Sequence, residues 1–184
     1  MKIWSKILLL ALMANLALAF SAQKLVQEAR AQIGQTLFYD PSYERLAYPM
    51  GDVDMIKGVC TDVVVRALRG QDIDLQRLIH EDMSANFSVY PKNWGAKKTD
   101  KNIDHRRVPN IATYLKRKGY EAKGEFKAGD IVTWRLDNGR PHIGIVSDKF
   151  ADSKTPLVIH NIGLGAQEED VLNEYEITGH FRIK

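Results

Sequence analysis

The sequence predicts an α+β fold, with helices in its first part and a small antiparallel β-sheet after them. Three observations carry this. Apolar residues recur at helical spacing between residues 25 and 115. From Gly129 onward the texture changes to short β-branched and aromatic runs separated by turn residues. Between two of those runs lies Asp137-Asn138-Gly139, a strong hairpin signal. Helices first and strands after is the α+β layout.

The elements follow in order. Lys2 and Lys6 precede an apolar run from Ile7 to Met13 that continues through Leu16 and Leu18. Ala17-Leu18-Ala19 then presents the small residues that signal peptidase reads, so residues 1–19 are expected to be a signal peptide cleaved after Ala19. The expected location is periplasmic or secreted. The run meets Ser21, Gln23 and Lys24 too soon for a membrane span, and no cysteine follows it to carry a lipid. An uncleaved N-terminal anchor is the alternative. Residues 20–184 suffice for one domain with a sizeable core.

Leu25, Ala29 and Ile33 form a helical stripe that Gly34 ends. Residues 36–58, with Pro41, Pro49, Gly51 and Gly58, read as a long irregular connection of the kind that lines sites. A helix is expected from Cys60 to Leu68, stopping near Gly70. Asp74 caps the next, whose Leu75, Leu78, Ile79 and Met83 share one face. Residues 87–108 read as irregular, and Pro109 opens a helix carrying Ile111, Ala112 and Leu115. The strands are read as 131–135, 142–146, 157–161 and 175–183.

Composition excludes several classes. The chain carries 26 basic and 23 acidic residues, and two of the lysines lie in the leader, so the remainder is close to neutral. There is no basic stripe with interleaved aromatics, which argues against a nucleic-acid partner. The histidines lack metal-ligand spacing, and one cysteine cannot build a structural zinc site, so neither metal nor other cofactor is expected. Oligomeric state is left open.

That one cysteine, Cys60, is the most informative residue. Exported proteins normally use cysteines in pairs, so a solitary thiol is a reactive group, an intermolecular bridge or a small buried hydrophobe. Cys60 follows a glycine turn at a predicted helix start, where the helix macrodipole favours the thiolate and a pKa below about 8.5 is expected. Downstream, His142 and His160 lie in strand-like segments, the layout of a nucleophile, its base and an orienter.

Taken together, helix-borne Cys60, then A-G-D-I-V-T-W, P-H-I-G-I-V-S-D and V-I-H-N resemble the papain-like NlpC superfamily of cell-wall cysteine peptidases over residues 58–161. N-I-D-H-R-R-V-P-N and I-H-N-I-G further resemble an exported bacterial family formerly of unknown function. The resemblance implies a papain-like fold, with the nucleophile at a helix N-terminus packed on a small antiparallel sheet. It makes Cys60 the nucleophile and His142 the base. His160 fits the NlpC orienter; Asn161 fits the related cysteine, histidine-dependent amidohydrolases. Strand neighbours face opposite sides, so one of the two is excluded. Val158 shares the face of His160, and Leu157 and Ile159 share that of Asn161; the resemblance favours His160.

Departures are Val59 before the cysteine, where many members have aspartate, and Thr61-Asp62 after it in place of serine-glycine. Tyr39 resembles the tyrosine that borders the family's substrate cleft, at a longer spacing. Arg106 and Arg107, in Asp104-His105-Arg106-Arg107, are candidates to grip substrate carboxylates, or else loop residues held by internal ion pairs. His105 is an alternative base; His80 and His180 read as structural. The expected function is an exported cysteine hydrolase cleaving an amide bond, most readily in peptidoglycan peptides, through an acyl-thioester. The alternatives are a non-catalytic periplasmic binding module on the same fold and an acyltransferase using the same pair.

Overall fold

The computed structural model describes residues 20–152 and 154–184. The expected leader, residues 1–19, lies outside the described residues. The chain mixes helices with a small antiparallel sheet, and local sequence explains most of the elements. Helix α1 (Ala22–Arg30) starts at Ser21, whose hydroxyl accepts the Lys24 N–H, and buries Leu25, Val26 and Ala29. It stops one turn earlier than the apolar spacing predicts; the chain turns over 31–35 and leaves Ile33 exposed. Two short strands follow within the connection read as irregular, β1 (Phe38–Tyr39) and β2 (Lys57–Gly58), paired in parallel. Helix α2 (Cys60–Arg69) is the centre of the molecule, with every residue from Cys60 to Leu68 buried. Helix α3 (Leu75–Ala85) is capped by Asp74, which accepts the Arg77 N–H, and buries Leu75, Ile79 and Met83. Three single 3₁₀ turns lead to α4 (Val108–Arg117), which has Pro109 in its first turn.

The sheet contains β3 (Ile131–Arg135), β4 (Pro141–Phe150), β5 (Pro156–His160), β6 (Gln167–Glu169) and β7 (Glu176–Phe181), in the order β6-β5-β4-β3-β7 and antiparallel throughout. Leu136–Arg140 closes the β3–β4 hairpin, with Gly139 in the left-handed region its turn requires. β4 is longer than its apolar core predicts because Lys149 and Phe150 continue the strand on the exposed side. Strand β6, Gln-Glu-Glu, carries no apolar alternation; it forms because it covers the open edge of β5.

Both sheet faces are buried. Ile131, Ile143, Ile145 and Ile159 pack with the helices, joining Val63, Val64 and Leu68 of α2 in the main core. On the opposite face Val132, Trp134, Val146 and Val158 pack under Leu172, whose carbonyl accepts the Trp134 indole N–H at 3.0 Å.

Two buried arginines fix the start and the flank of α2. Arg66 donates to Asp52, to Thr36 Oγ1 and to the carbonyls of Val53, Asp54 and Lys57, so it carries the loop before β2. Arg106 makes a two-pronged pair with Asp62, Nε to Oδ1 and Nη2 to Oδ2, both 2.9 Å. Its remaining donors reach the carbonyls of Ser42 and Asp40. The same Asp62 carboxylate accepts the Val59 N–H at 2.7 Å, capping α2 from inside its first turn. Arg106→Ala would leave that carboxylate buried and largely unpaired. Denaturant unfolding should show it destabilised by about 3–5 kcal/mol; a loss within experimental error of zero would remove the pair from any structural role.

Candidate active site

Cys60 is the first residue of α2, and only 4% of it is exposed. The backbone N–H groups of Ile143 and Thr61 lie near its sulfur and favour the thiolate. α2 therefore delivers the thiol against the start of β4, at the residue that follows His142. Burial pushes the thiol pKa up to about 12, opposed by the Ile143 N–H and reinforced by the nearby Asp62 charge. This corrects the expectation of a lowered pKa. The helix start does supply N–H groups, but desolvation of the anion outweighs them.

His142, 3% exposed, stands on the sheet face opposite the main core, stacked on Trp134 with ring centroids 5.7 Å apart. Its Nε2 lies 2.8 Å from Nδ1 of fully buried His160. Burial, and then the adjoining His160, push the His142 pKa down to about 3. Gly144 makes the meeting of β4 and β5 here close: a Cβ on it would sit 2.6 Å from Val158 Cγ1 and 3.2 Å from His160 Cβ. Asn161 turns the other way, donating Nδ2 to the carbonyl of Gly58 at 3.1 Å and accepting the Gly163 N–H. Of the two candidate orienters, His160 therefore meets His142, and Asn161 ties the end of β5 to the turn before Cys60.

Cys60 and His142 line one cleft of about 710 Å³. Tyr39 lines it too, despite its long sequence separation from Cys60, because β1 pairs it with Gly58. Burial pushes its hydroxyl pKa up to about 12, and the Cys60 sulfur adds to this. Arg106 borders the cleft, but its guanidinium is committed to Asp62, Ser42 and Asp40. The expectation that it grips substrate gives way to internal pairing. Arg107 does face the cleft, 5.1 Å over the ring of Trp94. His105, the alternative base, is 2% exposed and outside the cleft lining, in a 3₁₀ turn packed on α2, α3 and α4; burial lowers its pKa to about 4. His80 sits edge-on to Tyr48, and His180 Nε2 is 2.6 Å from Asp130 Oδ2. Among the described residues no cluster of three or more histidine, cysteine or carboxylate side chains is arranged to hold a metal ion.

Among the cleft residues that sequence reasoning missed are Arg140, Trp94 and Tyr43. Arg140 was legible in hindsight as a cation two positions before His142. Trp94 carried no signal, since only the fold brings residues 93–95 over the site; it holds a left-handed backbone, φ 58°, that is uncommon for so large a residue.

The site thus brings a helix-borne cysteine into one cleft with a strand-borne histidine that is itself bonded to a second histidine. The chain belongs to the family described as Domain of unknown function (DUF1287), which matches residues 26–183. It is 59% identical over 159 residues to the protein described as Uncharacterized protein YijF of Escherichia coli (strain K12), covering 84% of this chain and 78% of that one. Solved structures similar to it include NlpC1 and NlpC2 of Trichomonas vaginalis, with TM-scores of 0.46 and 0.44 and identities of 14% and 13%. Those matches cover 89% and 90% of this chain but only 45% and 49% of theirs, so the chain spans about half their length.

The histidine shift sets an acid-stability prediction. In the unfolded chain His142 titrates near 6.5, while in the fold its pKa is about 3. Between these values the unfolded state binds more protons, so stability falls as pH drops through that window. His105 acts in the same direction. Unfolding measured from pH 7 to pH 3 should therefore show a shallower loss in His142→Gln than in wild type; equal slopes would mean that His142 is not held neutral.

Proposed function

We propose that this chain is an exported cysteine hydrolase of the papain-like NlpC type, cleaving an amide bond in peptidoglycan peptides. The observation that carries this reading is the placement of Cys60 and His142 in one cleft, with the far nitrogen of His142 bonded to His160. With Nε2 directed to His160, His142 has Nδ1 left for the thiol.

The resting pair is neutral, thiol and imidazole, because both groups are desolvated. Catalysis is then general-base in form. As sulfur attacks the substrate carbonyl carbon, the thiol proton passes to His142 Nδ1, and the developing oxyanion is met by backbone N–H groups at the start of α2. His142 returns that proton to the departing amine as the C–N bond breaks, leaving an acyl-thioester. Water then attacks the thioester, His142 takes a proton from it, and the carboxylic acid leaves as Cys60 regains its own proton.

A peptide substrate with carboxylate groups suits the guanidinium groups of Arg107 and Arg140 at the cleft, beside the exposed rings of Tyr43 and Trp94. A leader at residues 1–19 would bring the protein to that substrate. One observation favours the non-catalytic binding module instead, the near-complete burial of Cys60.

Mass spectrometry of purified cell-wall fragments separates these readings. Wild type should yield product pairs that together equal the substrate plus one water, and Cys60→Ala should yield none. His142→Ala should lower kcat by roughly 10²–10⁴-fold, the usual worth of a general base, with the melting transition intact. Products carrying an amine in place of water would identify an acyltransferase. Identical spectra with wild type and Cys60→Ala would leave the binding module.

A further inference from the structure

The chain of imidazoles does not end at His160. Its Nδ1 is taken by His142, and its Nε2 lies 3.1 Å from Oε2 of Glu169 on strand β6. His160 is fully buried, and among the described residues its Nε2 has no formed hydrogen bond; the Glu169 carboxylate approaches it at ion-pair distance, off the line of the N–H. The register explains why Glu169 is the residue that arrives. β6 pairs His160 with Gln167 and Val158 with Glu169, so Glu169 shares the sheet face of His160. The intervening Glu168 points to the opposite face, where it binds Arg30, Ser147 and Lys149. Gln167, directly opposite His160, donates to the carbonyl of Leu164.

We propose that Glu169 is a positioning residue that fixes the tautomers of both histidines and thereby makes His142 a base toward Cys60. This rests on the hydrolase reading above and extends it to a residue outside the cleft lining. A carboxylate can only accept, so with a small turn of the half-exposed Glu169 side chain into line it favours the His160 proton on Nε2. His160 Nδ1 is then an acceptor, and the 2.8 Å bond to His142 must be donated by His142 Nε2–H. That leaves His142 Nδ1 with a lone pair for the thiol proton. The opposite arrangement disables the site: a proton on His160 Nδ1 would be donated to His142 Nε2, and the His142 proton would sit on Nδ1. No proton passes beyond His142 during turnover. The carboxylate sets which nitrogens carry protons and stabilises the imidazolium from two rings away.

The test uses the full chain with ¹⁵N-labelled histidine. In wild type, the nitrogen shifts of His142 and His160 should both report Nε2–H. In Glu169→Ala, the His160 proton loses its acceptor, and both rings should move toward Nδ1–H. With the cell-wall fragment assay, Glu169→Ala should lower kcat about tenfold or more, as loss of such outer partners typically does, with KM changed little. Glu169→Gln, whose side-chain carbonyl can still accept from Nε2–H, should recover part of the rate. Glu169 is half-exposed and its strand pairing is made by backbone, so these variants should keep the wild-type melting transition; Glu169→Thr, with a strand-favouring side chain, reads the same way as alanine. Unchanged tautomers in Glu169→Ala would overturn the proposal whatever the activity. A tautomer shift in a protein whose wild type cleaves no fragment would support the relay and reject the hydrolase reading.

Discussion

The carboxylate of Asp62 is the point on which the site depends. It caps the first turn of α2 through the Val59 N–H and binds buried Arg106 in two-pronged fashion. Arg106 in turn holds the carbonyls of Asp40 and Ser42, and its own carbonyl accepts the Thr61 hydroxyl. Three stretches distant in sequence are thereby clamped together: the cleft wall at 39–43, the turn that carries Cys60 and the 3₁₀ turn at 104–106. Each ion costs several kcal/mol to desolvate, so the pair adds little net stability compared with apolar packing of the same volume. Its contribution is directional. Two fixed hydrogen bonds to one carboxylate define where α2 begins, and with it the position of Cys60.

Placing Cys60 this way has an electrostatic consequence. The turn that orients the thiol also buries it and sets Asp62 nearby, so the sulfur rests as a neutral thiol. On the other sheet face the same burial keeps His142 a neutral imidazole, against a neutral histidine partner. A site of this kind does not store a preformed ion pair. On the proposed mechanism, charge would be created only when a substrate carbonyl is present to accept the sulfur; a buried neutral thiol is slow to oxidise.

The geometry also shows why the strands bear the residues they do. His142 and His160 share one face with Trp134 and Val158, while Ile143, Ile145 and Ile159 fill the other against the helices. Cys60 approaches from the helix side, near the Ile143 backbone at the start of β4. The cleft therefore lies at the end of the sheet, where the two faces come within reach of each other. Gly144 is the place where β4 and β5 need the extra room.

Much of this was legible in the residues themselves. Periodicity located α2, α3 and α4 and most of β3 to β5, because each element buries a face whose spacing is written in local sequence. Pleating alone also established that His160 and Asn161 must point apart. Long-range pairing was not local information. The parallel contact that places Tyr39 beside Gly58, the choice of β6 as cover for β5 and the commitment of Arg106 to Asp62 all join residues far apart in the chain. The protonation of the site belongs to the same class. A helix start and a lone cysteine point locally to a thiolate, but the pKa depends on the water excluded by the whole fold, and desolvation is the larger effect. The sequence by itself determined which residues could do chemistry; tertiary structure decided which of them meet, and in what charge state, because contact and burial are properties of the packed chain.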